Sequence, residues 1–325
     1  MPFRYVITAP LPADIQRHLP DGGHWQEPGP EPMDPASLRA VIGQAEGLLC
    51  SIPDRVDRSL LEAAPRLRVV SQLAVGLDNI DLAACTEQGI PVGHTPDVLT
   101  DTTADTAVAL LLASVRRLPE GERLVRDGKW ERWSSDLLLG ADLHHSTVGI
   151  VGLGRIGSAI ARRLQGFECR LLYAGPSRKA SSEAILGITY VPLADLLRQS
   201  DHVILAAPLN SGTRHLIGGK ELALMKKTST LVNIARGPLI DMEALTSALS
   251  NEVIARAALD VTDPEPIPPD HPLVHMDNCL IIPHLGSASE RTRNAMGQLA
   301  VDNLVAGLAG ERLPACANPE VYGAL

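Results

Sequence analysis

Residues 147–157 read Thr-Val-Gly-Ile-Val-Gly-Leu-Gly-Arg-Ile-Gly, an apolar strand running into G-x-G-x-x-G at Gly152, Gly154 and Gly157. Ser158 to Leu164 follows with helical spacing. Three glycines at that spacing occur by chance, but a strand before and a helix after make the motif specific. The first glycine allows the tight turn, the second lets a pyrophosphate approach the backbone, and the third lets the helix pack on its strand. The stretch predicts a nucleotide-binding α/β sheet, with Arg155 and Ile156 beside the phosphates.

About 20 residues further on, an NAD site ordinarily places Asp or Glu at the end of the second strand to hold the ribose 2′-hydroxyl. Here the strand Arg170 to Ala174 runs into Gly175-Pro176-Ser177-Arg178-Lys179, with no acid at that point. A hydroxyl and two cations suit a 2′-phosphate, through charge-assisted hydrogen bonds. Ser177, Arg178 and Lys179 therefore predict NADPH over NADH by roughly one to two decades, with NADH possible but weaker.

Working outward, short apolar runs alternate with helix-period stretches, the pattern of βαβ units and a parallel sheet. Tyr5 to Ala9, Gly47 to Cys50, Arg68 to Leu73 and Ile90 to Val92 read as strands of a small first domain, with helices at Ser59 to Ala64 and Leu82 to Gln88. A long apolar helix, Thr102 to Leu118, reads as the crossing into a second domain. That domain continues after residues 147–151 with strands near Arg170 to Ala174, His202 to Ala206, Thr230 to Ile234, Ala257 to Val261 and Leu280 to Ile282, making five or six parallel strands. A final helix, Ser289 to Leu308, is expected to pack back on the first domain. The fold expected is two doubly wound parallel-sheet domains: a flavodoxin-like substrate domain, residues 1–101 with 288–325, and a Rossmann domain, residues 102–287.

Three short motifs end later strands, where open parallel sheets bind ligands. They are Asn233-Ile234-Ala235-Arg236-Gly237, Asp260-Val261-Thr262-Asp263-Pro264-Glu265-Pro266 and Ile282-Pro283-His284-Leu285-Gly286-Ser287. Reduction of a 2-keto acid needs such a set. A hydride reaching the carbonyl carbon leaves an alkoxide, which a protonated imidazole can quench. A carboxylate beside the ring favours its charged form and holds its tautomer. An arginine fork can grip the substrate carboxylate and polarise the keto oxygen. Arg236, Glu265 and His284 are assigned these parts. Residue type alone does not separate Glu265 from Asp263, or His284 from His271 and His275.

From about Gly47 to Pro314 the chain resembles the D-isomer-specific 2-hydroxyacid dehydrogenases, and within them the glyoxylate/hydroxypyruvate reductases. The resemblance is densest in residues 94–103 (His-Thr-Pro-Asp-Val-Leu-Thr-Asp-Thr-Thr), 147–164, 260–272 and 283–294. It implies Arg236, Glu265 and His284 as the catalytic set and the backbone amides of Val75 and Gly76 as the grip on the substrate carboxylate. It also implies that Asp260 contacts the nicotinamide carboxamide, and that Pro208, Ile234 and Gly286 line the cofactor cleft. The segment around Val125 to Trp130 would belong to an arm exchanged within a homodimer, and Trp133 would reach the partner's site. His94 stands where relatives often carry an aromatic residue and Ala74 where many carry Ser, two departures that bear on substrate preference. Phosphoglycerate, phosphite and sugar-acid dehydrogenases share the catalytic set, as do nucleotide-sensing corepressors; turnover separates the last from an enzyme.

The bulk properties agree. The 325 residues suffice for two cores, and five scattered cysteines without a C-x-x-C pair suggest neither a disulfide framework nor a metal site, consistent with a cytoplasmic protein. A net charge of −9 argues against nucleic acid as a partner, and no run approaches the length of a membrane span. With only two Phe and four Tyr, the cores must be aliphatic.

Overall fold

The computed structural model describes residues 3–8, 10–11, 13–20, 24–26 and 33–323. The chain divides into two compact units, Met1–Leu99 with Ala288–Leu325, and Thr100–Ser287. The cut near residue 100 falls just before the one expected at 101.

In the first unit β1 (Arg4–Ile7), β2 (His24–Gln26), β3 (Gly47–Cys50), β4 (Val69–Gln72) and β5 (Val92–Gly93) form a parallel sheet of order β2-β1-β3-β4-β5. That is the flavodoxin-like order. β3 and β4 are buried along their whole length; β3 is accordingly a continuous apolar run, while β4 carries the buried polar pair Ser71 and Gln72 after Val69 and Val70. The helix Glu290–Ala309 lies on this sheet: a Cβ at Gly307 would fall within 2.5 Å of Val69 Cβ, and Ser71 Oγ donates to the Ala300 carbonyl at 2.7 Å. Ser289 caps its start and Gly310, at φ 76°, its end. β1 is shorter than the predicted Tyr5 to Ala9, and Ala9 lies outside the described residues.

In the second unit seven parallel strands follow: β6 (Thr147–Val151), β7 (Arg170–Ala174), β8 (Ile188–Tyr190), β9 (His202–Leu205), β10 (Thr230–Asn233), β11 (Arg256–Leu259) and β12 (Cys279–Ile281), in the order β12-β11-β10-β9-β6-β7-β8. The chain leaves β6 in one direction, returns, and continues from β9 in the other, so the switch point lies between β6 and β9. Two expectations change. The sheet gains β8, an edge strand too short and too polar to stand out. The helix expected over Thr102 to Leu118 runs Thr100–Val115, and a further helix, Leu118–Arg126, follows the break at Arg117, whose φ of 56° is left-handed ahead of Pro119.

Candidate active site

The glycine motif forms the turn its spacing predicts. Gly152 leaves β6 with φ 97°, and a Cβ there would lie 2.7 Å from the Ala207 backbone, so the loop after β6 is pressed against the loop after β9. A Cβ at Gly157 would overlap the Gly152 carbonyl oxygen, so only glycine lets the helix Arg155–Leu164 start so close to its strand. At Gly154, by contrast, an added Cβ meets nothing within 4 Å. Gly154 is the N-cap of this helix without any side-chain cap, leaving the opening amides and the positive end of the dipole toward that space. A pyrophosphate fits there. Ile156 is half-buried against the aliphatic core, and Pro208, on the neighbouring loop, is exposed, its carbonyl accepting from Thr213 Oγ1 at 2.7 Å.

The turn after β7 lies against the same loop. Lys179 Nζ donates to the Leu153 carbonyl at 2.7 Å, while Ser177 and Arg178 are exposed. Arg178 is paired with Glu183, Nη2 to Oε2 at 2.8 Å. Glu183 lies in the helix Ala180–Leu186, so an acid stands beside this turn although none ends the strand. Sequence reasoning missed it; the signal available was an acid one helical turn into the segment that follows the basic pair.

The catalytic candidates are aligned by register. Asn233 pairs with Leu259 and Leu259 with Ile281, so the ends of β10, β11 and β12 form one row from which Arg236, Glu265 and His284 follow. His284 Nδ1 and Glu265 Oε1 are 2.6 Å apart, with the side chains 25% and 37% exposed. Burial acts to raise the Glu265 carboxyl, but the His284 hydrogen bond and charge, the Thr262 amide and the Arg236 charge together hold it below the ordinary carboxylate range. Arg236 is half-buried with Nη1 on the Ala235 carbonyl at 2.8 Å, and its own carbonyl accepts from Asn233 Nδ2 at 2.8 Å. A Cβ at Gly237 would overlap the Thr262 carbonyl, which locks the arginine loop onto the segment carrying Glu265.

Asp260, 2% exposed, ties the histidine loop down. Its carbonyl accepts from the His284 amide at 2.9 Å, Oδ1 from the Leu285 amide at 2.6 Å and Oδ2 from the Gly286 amide at 3.0 Å. Burial pushes its carboxyl above the ordinary value against the pull of those amides and of His284. His284 needs this support, since its φ of 52° is left-handed. Gly286 is required as glycine, because a Cβ would lie 2.7 Å from Asp260 Oδ2. Ile234 is 5% exposed, its side chain in the aliphatic core.

Of the rivals left open by residue type, His271 and Asp263 are engaged elsewhere. His271 Nδ1 accepts from the Leu273 amide at 3.2 Å as a helix cap, His275 is exposed, and Asp263 faces Arg214 at 3.9 Å.

In the first unit, three successive carbonyls of the loop after β4 are held: Ala74 by the Thr95 amide at 2.9 Å, Val75 by His94 Nδ1 at 3.2 Å and Gly76 by Gln72 Nε2 at 3.4 Å. In the second, the segment from Leu118 onward leaves Leu118, Val125, Trp130, Trp133 and Leu139 more than half exposed, Trp133 at 78%.

Residues 108–286 match the family described as D-isomer specific 2-hydroxyacid dehydrogenase, NAD binding domain. The chain is 47% identical to a glyoxylate reductase of Korarchaeum cryptofilum, over 98% of this chain and 96% of that one. It is 45% identical to a mouse glyoxylate reductase/hydroxypyruvate reductase, over 96% and 97%. Among solved structures it resembles the NADPH-dependent glyoxylate/hydroxypyruvate reductase of Sinorhizobium meliloti, in complex with NADP and malonate, with a TM-score of 0.87 at 34% identity, covering 98% of this chain and 97% of that one.

Proposed function

The chain belongs to the D-isomer specific 2-hydroxyacid dehydrogenase family, and on that premise we propose that it reduces small 2-keto acids, glyoxylate to glycolate and hydroxypyruvate to D-glycerate, with NADPH preferred and NADH the weaker coenzyme. The reduced nicotinamide, when bound, supplies the hydride to the carbonyl carbon. Gly152, Gly154, Arg155, Ile156 and Gly157 hold the pyrophosphate, Ser177, Arg178 and Lys179 the 2′-phosphate, and Pro208, Ile234, Asp260 and Gly286 border the nicotinamide.

The observation that carries the reading is the 2.6 Å bond between His284 Nδ1 and Glu265, made at the strand ends where Arg236 also emerges. With Nδ1 committed to the carboxylate, Nε2 is the ring atom left to donate a proton to the oxygen on which negative charge develops. Arg236 binds the substrate carboxylate and polarises the keto oxygen. Steady-state oxidation of NADPH with glyoxylate and with hydroxypyruvate tests this; absence of turnover with both refutes it.

The exposed apolar side chains from Leu118 to Leu139 support a homodimer in which that segment is covered, with Trp133 entering the partner's site. Sedimentation as a monomer at micromolar concentration would refute that arrangement. A cytoplasmic setting is supported by the five free cysteines. Among the described residues no helix is long and apolar enough to cross a membrane.

A further inference from the structure

Glu183 has no part in the chemistry above, yet it is the most enclosed member of the basic turn, its side chain 14% exposed against 68% for Arg178. Its Oε1 accepts from Tyr173 Oη and from Arg178 Nε, each at 2.9 Å, and its Oε2 accepts from Arg178 Nη2 at 2.8 Å. The Tyr173 hydroxyl accepts in turn from the Lys179 amide at 2.6 Å, so acid and turn are fixed to each other. Because Lys179 Nζ reaches the Leu153 carbonyl, the whole assembly sits beside the fingerprint loop. An arginine fork recognises a phosphate best through one bidentate edge, and the Nε–Nη2 edge of Arg178 is already taken by a carboxylate.

We propose that Glu183 is the specificity-determining acid of this nucleotide site: it competes with a 2′-phosphate for Arg178, opposes that phosphate by like charge, and offers an oxygen to a ribose 2′-hydroxyl. The preference for NADPH written into Ser177, Arg178 and Lys179 is thereby narrowed, and NADH is accepted more readily than the basic turn alone dictates. The Arg178 end of this pair is exposed, so the guanidinium exchanges partners at little cost and the phosphate is admitted but discounted. This inference rests on the nucleotide site proposed above and adds a residue that weakens its selectivity.

Equilibrium binding to the full chain tests it without turnover. The probes are 2′,5′-ADP and 5′-AMP by calorimetry, then NADPH and NADH by fluorescence, on wild type, Glu183→Gln and Arg178→Ala. Glu183→Gln keeps an oxygen for the Tyr173 hydroxyl while removing the charge, and thermal unfolding checks its fold. It should bind 2′,5′-ADP and NADPH about three- to tenfold more tightly, the scale of a screened surface charge acting on a phosphate, with 5′-AMP and NADH, which share the free 2′-hydroxyl, both unchanged or weaker. Should that variant fold poorly, Glu183→Asp, which draws the charge back by one methylene, must shift affinities in the same direction. Unaltered or weakened binding of 2′,5′-ADP to a folded variant overturns the proposal. If wild type holds 2′,5′-ADP no more tightly than 5′-AMP and Arg178→Ala changes neither, the phosphate site itself fails and the inference falls with it.

Discussion

Replacing Asp260 by Asn should separate catalysis from stability. The carboxylate receives the Leu285 and Gly286 amides at 2.6 and 3.0 Å, and an Asn can offer an oxygen to only one of them while turning an NH2 group toward the other. One charge-assisted bond is lost, the second is weakened, and an amide is left facing a donor, together about 2–4 kcal/mol of restraint on the loop. That loop holds His284 at φ 52°, a conformation it leaves once the restraint goes. If the deficit is expressed in the transition state, kcat falls by roughly 30- to 1,000-fold, about 1.4 kcal/mol per decade. Stability should hardly follow. Burial raises the Asp260 carboxyl, so its contribution to folding is full below the ordinary carboxylate value and is lost as pH rises through the folded one. At neutral pH the buried charge is a burden that Asn removes, which offsets the lost bonds. The assays are steady-state kcat with saturating NADPH and keto acid beside urea unfolding at pH 7. A variant that keeps wild-type kcat refutes the positioning argument, and one that loses activity and stability together assigns Asp260 to the fold alone.

His284→Ala should lower kcat by about 10²–10⁴-fold if the ring is the proton donor, and retained full activity would remove it from the mechanism. Two glycines of one motif should behave oppositely. Gly154→Ala places its methyl in open space and should leave the unfolding temperature alone while raising the nucleotide Kd, whereas Gly157→Ala drives a Cβ into the Gly152 carbonyl and should destabilise the chain by about 1–3 kcal/mol; similar melting temperatures would contradict the packing. His202, 1% exposed at the start of β9, has its pKa pushed below the ordinary 6.5 by burial. Stability it contributes is therefore present above about 6.5 and lost as pH falls through the folded value, at up to about 1.4 kcal/mol per pH unit for one proton. Urea unfolding across that range should show the loss in wild type and a flatter profile in His202→Leu; equal slopes would refute it.

The nucleotide-binding half was legible because its information is local. A strand, three glycines and a helix are adjacent in the chain, so spacing alone signals the turn; the demand on Gly157 comes from the Gly152 carbonyl within that turn, while the demand on Gly152 comes from Ala207 on another loop. Short apolar runs likewise betrayed buried strands, Leu48 to Cys50 in β3 and Val203 to Leu205 in β9. What fails locally is short or marginal: β8 is a three-residue edge strand, and the break between Val115 and Leu118 depends on one left-handed residue.

The catalytic candidates divide differently. That an arginine, a carboxylate and a histidine follow successive strands is written in the sequence, and their chemistry suits the reduction of a 2-keto acid, the reaction class that the family resemblance implies. Which carboxylate and which histidine pair with each other was decided by the parallel register of β10, β11 and β12, which brings Glu265 to His284 while His271 caps a helix and Asp263 faces Arg214. The clamp from Asp260 is tertiary too. It depends on segments that no chain spacing relates, and a hydrogen bond, unlike a periodicity, exists only once both of its ends have been placed in space.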